Sequence, residues 1–213
     1  MGNELGADAL MNAESSGKTR AVVGVTGPIC GGKNAVCSIL EKKGFFSIDV
    51  DKVGHEALEA KNDEIVRAFG TGILDSAGTI DRAGLGTVVF SSRRALETLE
   101  GIVHPWMNAR VGDYILSNSS RDIVINAAVL FKMGLDGYCD RIIWVDAPVL
   151  SRLKRLRERS RTGILDALRR IWSQRRLRTQ YSPPDTDIYD IENSGSMENL
   201  SDQVFKFLQT MRI

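Results

Sequence analysis

Residues 27–34 of this chain read GPICGGKN. They match the phosphate-binding loop pattern G-x-x-x-x-G-K-[ST] at every defined position except the last, where Asn34 replaces the hydroxyl residue. The apolar residues 21–25 before the loop predict a buried strand, and residues 33–43, which lack Gly and Pro, predict a helix. Strand, glycine loop and helix together indicate phosphate binding, because loop N–H groups and a helix N-terminus both attract anions.

The last two residues of the loop carry different expectations. We expect Lys33 to bridge the outer phosphates of a nucleotide. At the position of Asn34 a hydroxyl normally holds a magnesium ion, so an amide oxygen must replace it or leave that ligand to water. Asn34 is therefore predicted to be a weak Mg²⁺ ligand. The alternative is a glycine turn that happens to precede a lysine, and the strand-to-helix context argues against it.

Size and composition indicate a soluble globular protein. The chain has 213 residues, of which 43% are apolar, which suits one domain with an inserted lobe. Its net charge of +1 gives no reason to expect nucleic acid or a membrane as the main partner. The three cysteines lack metal-ligand spacing and suit reduced thiols in the cytoplasm. Residues 1–19 are predicted to be a flexible tail, and the longest apolar run, residues 123–131, is too short to span a bilayer.

Further short apolar segments predict a parallel sheet covered by helices. They lie at residues 45–48, 123–125, 142–145 and 187–192, with helical patterns between them. Asp49, Asn126 and Asp146 follow three of these strands, and ligands of open parallel sheets bind beyond the carboxyl ends. Residues 53–118 are mostly helical in pattern, with a glycine-punctuated segment at 69–78. We interpret residues 55–118 as an inserted helical lobe that covers an acceptor substrate, and a merely decorative insertion is the alternative.

Motifs spread over roughly residues 20–205 make the chain similar to the dephospho-coenzyme A kinase family. The first group comprises residues 48–51 (IDVD), Phe69-Gly70 with residues 73–75 (ILD), Asp81-Arg82 with Leu85, Val89-Phe90, and residues 99–105 (LEGIVHP). The second comprises residues 145–148 (VDAP), Arg155, Arg159, Gln174 and residues 193–196 (NSGS). The resemblance implies a three-layer α/β P-loop NTPase fold with a five-stranded parallel sheet, an inserted helical substrate-binding lobe and a helical lid over residues 149–180.

The resemblance also implies an activity and a set of site residues. The activity is ATP- and Mg²⁺-dependent phosphorylation of the ribose 3′-hydroxyl of dephospho-coenzyme A, by a monomer or weak homo-oligomer. Asp51 is implied as the base, with Lys33 and Arg155 also catalytic. The nucleotide would contact Gly27, Pro28, Ile29, Cys30, Gly31, Gly32, Lys33, Asn34, Ala35, Arg155, Arg159 and Asn193. The acceptor would contact Thr26, Asp51, Arg82 and His104.

Several of these residues would also fit a purely structural role. Asp49 and Asp51 would face the same side if the chain stays extended there, or they could simply close a turn. A histidine before a proline, as at His104, could mark a helix boundary. Most arginines of the basic region that begins at Arg152 could form a solvated helix face.

The chain departs from the family pattern at Asn34 and at Asn126 and Lys132, where the family carries acids. Two other functions therefore remain open. One is a P-loop kinase for a nucleoside monophosphate or another small alcohol. The other is a nucleotide-binding protein that has lost efficient catalysis.

Overall fold

The fold is taken from a computed structural model, which describes residues 20–159 and 187–211. The predicted tail over residues 1–19 and residues 160–180 of the predicted lid, including Gln174, lie outside the described residues. The tail and lid bounds therefore stay predictions.

A five-stranded parallel sheet forms the centre of the protein. Its strands pair in the order β2-β3-β1-β4-β5. All neighbouring strands run parallel. This confirms the predicted sheet, with every strand bound within one residue of the prediction. The strands are β1 (Val22–Thr26), β2 (Phe46–Asp49), β3 (Ile123–Asn126), β4 (Arg141–Asp146) and β5 (Ile188–Glu192).

Helices cover both faces of the sheet, which gives three layers. The described α-helices are α1 (Lys33–Lys42), α2 (Val50–Ala60), α3 (Asn62–Phe69), α4 (Arg82–Ser91), α5 (Arg93–Ser117), α6 (Val149–Arg159) and α7 (Met197–Thr210). Successive strand side chains point to opposite faces. Val22 therefore packs in a cluster with residues of α2–α5, and Val23 packs in another with residues of α1 and α7. The predicted α/β fold class is confirmed.

The connection between β2 and β3 is mostly helical, as predicted. Helices α2 to α5 fill it, and the glycine-punctuated segment forms a short 3-10 turn at Thr71–Ile73 and a bridge between Leu74 and Ile80. Asp81 and Ser92 cap the two helices that follow, because their side chains accept backbone N–H groups of the first turn. Whether residues 55–118 act as an acceptor-binding lobe stays a prediction.

Helix α5 continues through the His-Pro pair. Pro105 lies inside the helix, so His104 does not mark a helix boundary. The expectation that proline displaces its predecessor from helical geometry is overridden by packing. Val103, Met107, Val111 and Ile115 of the same helix are all buried in the core.

Among the described residues, no helix combines the length and the apolar character that a bilayer crossing requires.

Candidate active site

The glycine loop joins β1 to α1 and packs tightly against the sheet. Gly27 and Gly32 have φ values of 143° and 117°. A Cβ atom on Gly27 would lie 2.1 Å from the Val145 carbonyl oxygen, and one on Gly32 would lie 1.9 Å from Asn193 Nδ2. Glycine is required at both positions because a side chain would be strained and would also overlap a neighbour.

Lys33, the first residue of α1, reaches back over the loop. Its Nζ atom donates to the Gly27 carbonyl at 2.9 Å and to the Pro28 carbonyl at 3.4 Å. Burial lowers the pKa of Lys33, and the Asp51 carboxylate is the strongest of the charges that oppose this shift. The ammonium group is therefore held at the loop and within electrostatic range of Asp51.

Arg155 and Asn193 hold the loop from the other side. Arg155 Nη1 donates to the Cys30 and Gly31 carbonyls at 3.2 and 3.4 Å, and its Nη2 donates to the Asn193 carbonyl at 3.0 Å. The Asn193 side chain donates to the Gly31 carbonyl at 3.0 Å. Asn193 is 8% exposed. Two predicted site residues from distant parts of the chain thus meet at the loop backbone.

Arg152 is a residue of this site that sequence reasoning did not single out. It is 6% exposed, and its guanidinium donates to the Ile29 carbonyl at 3.1 Å and lies 3.6 Å from Asp146 Oδ1. Burial lowers the pKa of Arg152, and Asp146 opposes the shift. Its spacing of three residues from Arg155 could have indicated that both share one helix face.

Asp49 and Asp51 are not arranged as expected. The condition of an extended chain is not met, because α2 begins at Val50 and Asp51 lies in its first turn. The Asp49 side chain accepts the Asp51 backbone N–H at 3.1 Å and so serves as the N-cap. Asp51 has an exposed side chain at the carboxyl edge of the sheet. The two carboxylates therefore have separate roles.

Asn34 and Asn126, two of the departures from the family pattern, contact each other. Asn126 Nδ2 donates to Asn34 Oδ1 at 3.1 Å. Asn126 ends β3, which is the neighbour of β1, so its side chain lies beside the first turn of α1. Ala35 lies in the same turn and donates its backbone N–H to the Gly32 carbonyl.

The third departure, Lys132, forms an ion pair with Glu100 of α5. The charge reversal at position 132 therefore has a partner in the helical segment. His104 lies one turn further along α5 and is half-buried. Burial lowers the pKa of His104, Glu100 opposes the shift and Lys132 adds to it.

The remaining predicted site residues lie at the carboxyl edge, on the helical segment and at the end of α6. Thr26 ends β1 and is 2% exposed. Arg82 begins α4, and its Nη2 lies 3.9 Å from Glu59 Oε1, with both side chains more than half exposed. Arg159 ends α6, and its side chain lies outside the described residues. The predicted roles of all these residues stay predictions.

Sequence comparisons with known proteins indicate one family. The sequence model of the family described as "Dephospho-CoA kinase" matches residues 21–198. A dephospho-CoA kinase of Borreliella burgdorferi is 41% identical over 62% of this chain and 64% of its own length, so the match spans less than two thirds of that relative. A dephospho-CoA kinase of Fusobacterium nucleatum is 32% identical over 89% of this chain and 98% of its own. A crystal structure of a Thermus thermophilus protein has a TM-score of 0.78 and 27% identity, covering 91% of this chain and 98% of that one.

Proposed function

This chain belongs to the dephospho-CoA kinase family of ATP-dependent phosphotransferases, and we propose that it transfers the γ-phosphate of ATP to the ribose 3′-hydroxyl of dephospho-coenzyme A. The observation that carries the proposal is that Lys33, at the start of α1, and Asp51, in the first turn of α2, lie at the same carboxyl edge of the sheet. The charge of Asp51 opposes the lowering of the Lys33 pKa. A cation that can bind phosphate and a carboxylate that can activate an alcohol therefore lie at the same edge of the sheet.

The loop supplies the nucleotide half of this function. Residues 27–34 precede the N-terminus of α1, where backbone N–H groups and the helix dipole favour phosphate oxygens. Lys33 Nζ spans the loop and can exchange its carbonyl contacts for phosphate oxygens. Arg155 and Asn193 bind carbonyl groups of the loop, which keeps its shape fixed. Preorganised positive charge of this kind is the main contribution that enzymes make to phosphoryl transfer.

Asp51 supplies the acceptor half. An exposed carboxylate at the carboxyl edge can accept the proton of the attacking 3′-hydroxyl or orient that group. Arg82 and His104 on the helical segment, with Thr26 at the end of β1, would bind the rest of dephospho-coenzyme A. Arg155 and Arg159 would neutralise charge on the transferred phosphate, since guanidinium groups stay charged and donate in a fixed fork.

The residues around the loop do not fit a magnesium ion that the protein anchors. The oxygen of Asn34 accepts a hydrogen bond from Asn126, and neither residue carries charge. Asn34 as a metal ligand stays a prediction, and this contact weighs against it. Magnesium would enter as part of the substrate MgATP, so we derive no catalytic step from a metal bound by side chains.

We also propose a cytoplasmic location and a monomeric or weakly associated state. Cys30, Cys37 and Cys139 are all free thiols, which suits a reducing compartment. The net charge of +1 gives no reason to add a nucleic-acid or membrane partner.

The test is a transfer assay with a panel of acceptors. Purified protein is incubated with ATP labelled at the γ-phosphate and with dephospho-coenzyme A, AMP or adenosine. Label in a 3′-phosphate of coenzyme A, and little in the other acceptors, is the expected result. Preferential labelling of AMP would indicate a nucleoside monophosphate kinase, and ATP binding without any transfer would indicate a protein that has lost catalysis.

A further inference from the structure

Asn34 and Asn126 form a neutral amide pair where a P-loop kinase uses a hydroxyl and a carboxylate to hold magnesium. We propose that this pair uncouples nucleotide binding from magnesium, so that the enzyme binds ATP and MgATP with similar affinity. The inference rests on the proposed function, because it concerns the same nucleotide site. It adds a statement about how ATP binding depends on magnesium, which the family assignment does not give.

The pair is built by the topology of the sheet. Asn126 ends β3 and is in register with Val25 of β1, so it lies directly beside the loop that leaves β1. Asn34 is the second residue of α1 and points back to this strand end, where its Oδ1 accepts from Asn126 Nδ2 at 3.1 Å. The two positions are 92 residues apart in the chain. Asn34 and Asn126, two of the departures from the family pattern, therefore contact each other.

The chemistry of the pair disfavours a metal ligand. Magnesium prefers charged or strongly polar oxygens in a near-octahedral set and gives up its water reluctantly. The Asn34 oxygen already accepts one hydrogen bond, which leaves it a single lone pair, and the Asn126 amide nitrogen that donates the bond carries hydrogen atoms that repel a cation. Replacing the acid by an amide also removes one negative charge from the site.

The neighbouring carboxylate has a structural role. Asp49 is in register with Asn126 across the β2–β3 pair. Its Oδ1 atom accepts the Asp51 N–H and caps α2, which leaves one carboxylate oxygen beyond the cap. The Lys33 ammonium group lies over the loop, and its positive charge opposes a second cation. We therefore expect phosphate oxygens and water to supply most ligands of magnesium in the bound nucleotide.

Thermodynamic linkage turns this arrangement into a measurable property. If the protein adds no ligand to the metal, direct coordination does not contribute to a rise in ATP affinity with magnesium. By the same reciprocity, the bound protein does not raise the affinity of ATP for magnesium through such a ligand. Restoring a hydroxyl at position 34 and a carboxylate at position 126 should create this coupling, since it supplies both missing oxygens.

Calorimetric titration with a non-hydrolysable ATP analogue tests the inference on the full chain. The dissociation constant is measured in excess EDTA and in excess MgCl₂. We expect the wild type to differ by less than about threefold and the double variant Asn34→Ser/Asn126→Asp to bind at least about tenfold more tightly with magnesium. Asn62→Asp, which adds the same charge at the start of α3, is the matched control and should behave as the wild type.

The outcome that overturns the inference is a wild-type affinity that rises about tenfold or more with magnesium. This comparison needs no variant, so a double variant that folds poorly would not remove the test. Transfer to dephospho-coenzyme A is assayed on the same protein preparations, with ATP in place of the analogue. The ratio of the two dissociation constants does not depend on turnover, so failure of the inference and failure of the proposed function are distinguishable.

Discussion

The nucleotide side and the acceptor side of the site are held in different ways. Around the loop, Lys33, Arg155 and Asn193 are tied to backbone carbonyls at distances of 2.9 to 3.4 Å. On the helical segment, the partner of Arg82 within the described residues is an exposed carboxylate at 3.9 Å. Buried hydrogen bonds fix a geometry, whereas exposed ion pairs contribute little to it. The loop is thus formed in the absence of a ligand, and we expect the proposed acceptor side chains to take up their contacts on binding.

Asp51 lies where the two sides meet, and its removal should have the largest effect. Asp51→Asn keeps the shape of the side chain but removes the proposed base. The rate of coenzyme A formation should fall about 10²–10⁴-fold, while calorimetry shows ATP affinity nearly unchanged. Asp63→Asn, at an exposed site in the first turn of α3, is the control. An unchanged rate in Asp51→Asn would remove this carboxylate from the mechanism.

Adding one methyl group at Gly32 should distort the preformed loop. Gly32→Ala should lower the free energy of unfolding by about 1–3 kcal/mol and weaken ATP binding, because the added Cβ meets Asn193 at 1.9 Å and φ is positive. Gly44 also has a positive φ but no atom within 4 Å of the added Cβ. Gly44→Ala therefore measures backbone strain alone, by urea denaturation. Equal losses of stability and equal ATP affinities in the two variants would show that the Asn193 contact is unimportant.

The acceptor side should respond to Arg82→Ala through substrate binding. The exposed pair with Glu59 contributes little to stability, so the thermal midpoint should stay the same. The KM for dephospho-coenzyme A should rise about tenfold through the loss of one charged contact, and the KM for ATP should not change. Arg94→Ala, on the exposed start of α5, serves as control. A rise in the KM for ATP instead would place Arg82 on the nucleotide side.

The smallest expected effect concerns His104 and pH. Burial lowers its pKa in the folded protein, and the unfolded chain takes up the proton near about pH 6.5. The neutral form therefore stabilises the fold above that pH, and this contribution is lost as pH falls toward the folded-state pKa. Urea midpoints at about pH 7.5 and about pH 5.5 should differ less in His104→Gln than in the wild type. An identical difference in both proteins would contradict the assignment, and His55→Gln controls for loss of a histidine.

Much of the nucleotide side was predictable because its signals are local. The five strands are short apolar runs, and the loop pattern fixes Lys33 at the start of α1. The site residues Arg155 and Asn193 were implied by the resemblance to the family, and both lie at the loop. Continuous burial of parallel strands gives a strong signal even in a single sequence.

The contacts between distant segments were not predictable. The hydrogen bond between Asn34 and Asn126 depends on β3 lying beside β1, and the order of strands leaves no mark in the sequence. Arg152 lies in a run of basic residues that look alike in the sequence. In the structure, its burial against Ile29 distinguishes it from its neighbours. The conformation after Asp49 was left open by the sequence, because a strand passes directly into a helix there, with Asp49 as the cap.

The most direct test of the central claim is the initial rate of coenzyme A formation by Lys33→Ala, compared with the wild type and with Lys42→Ala. Lys42 lies in the last turn of the same helix and is exposed, so its variant controls for the loss of one lysine. A fall of about 10²–10³-fold in Lys33→Ala, with Lys42→Ala unchanged, is the predicted result. A Lys33→Ala enzyme that forms coenzyme A at the wild-type rate would contradict phosphoryl transfer at this loop.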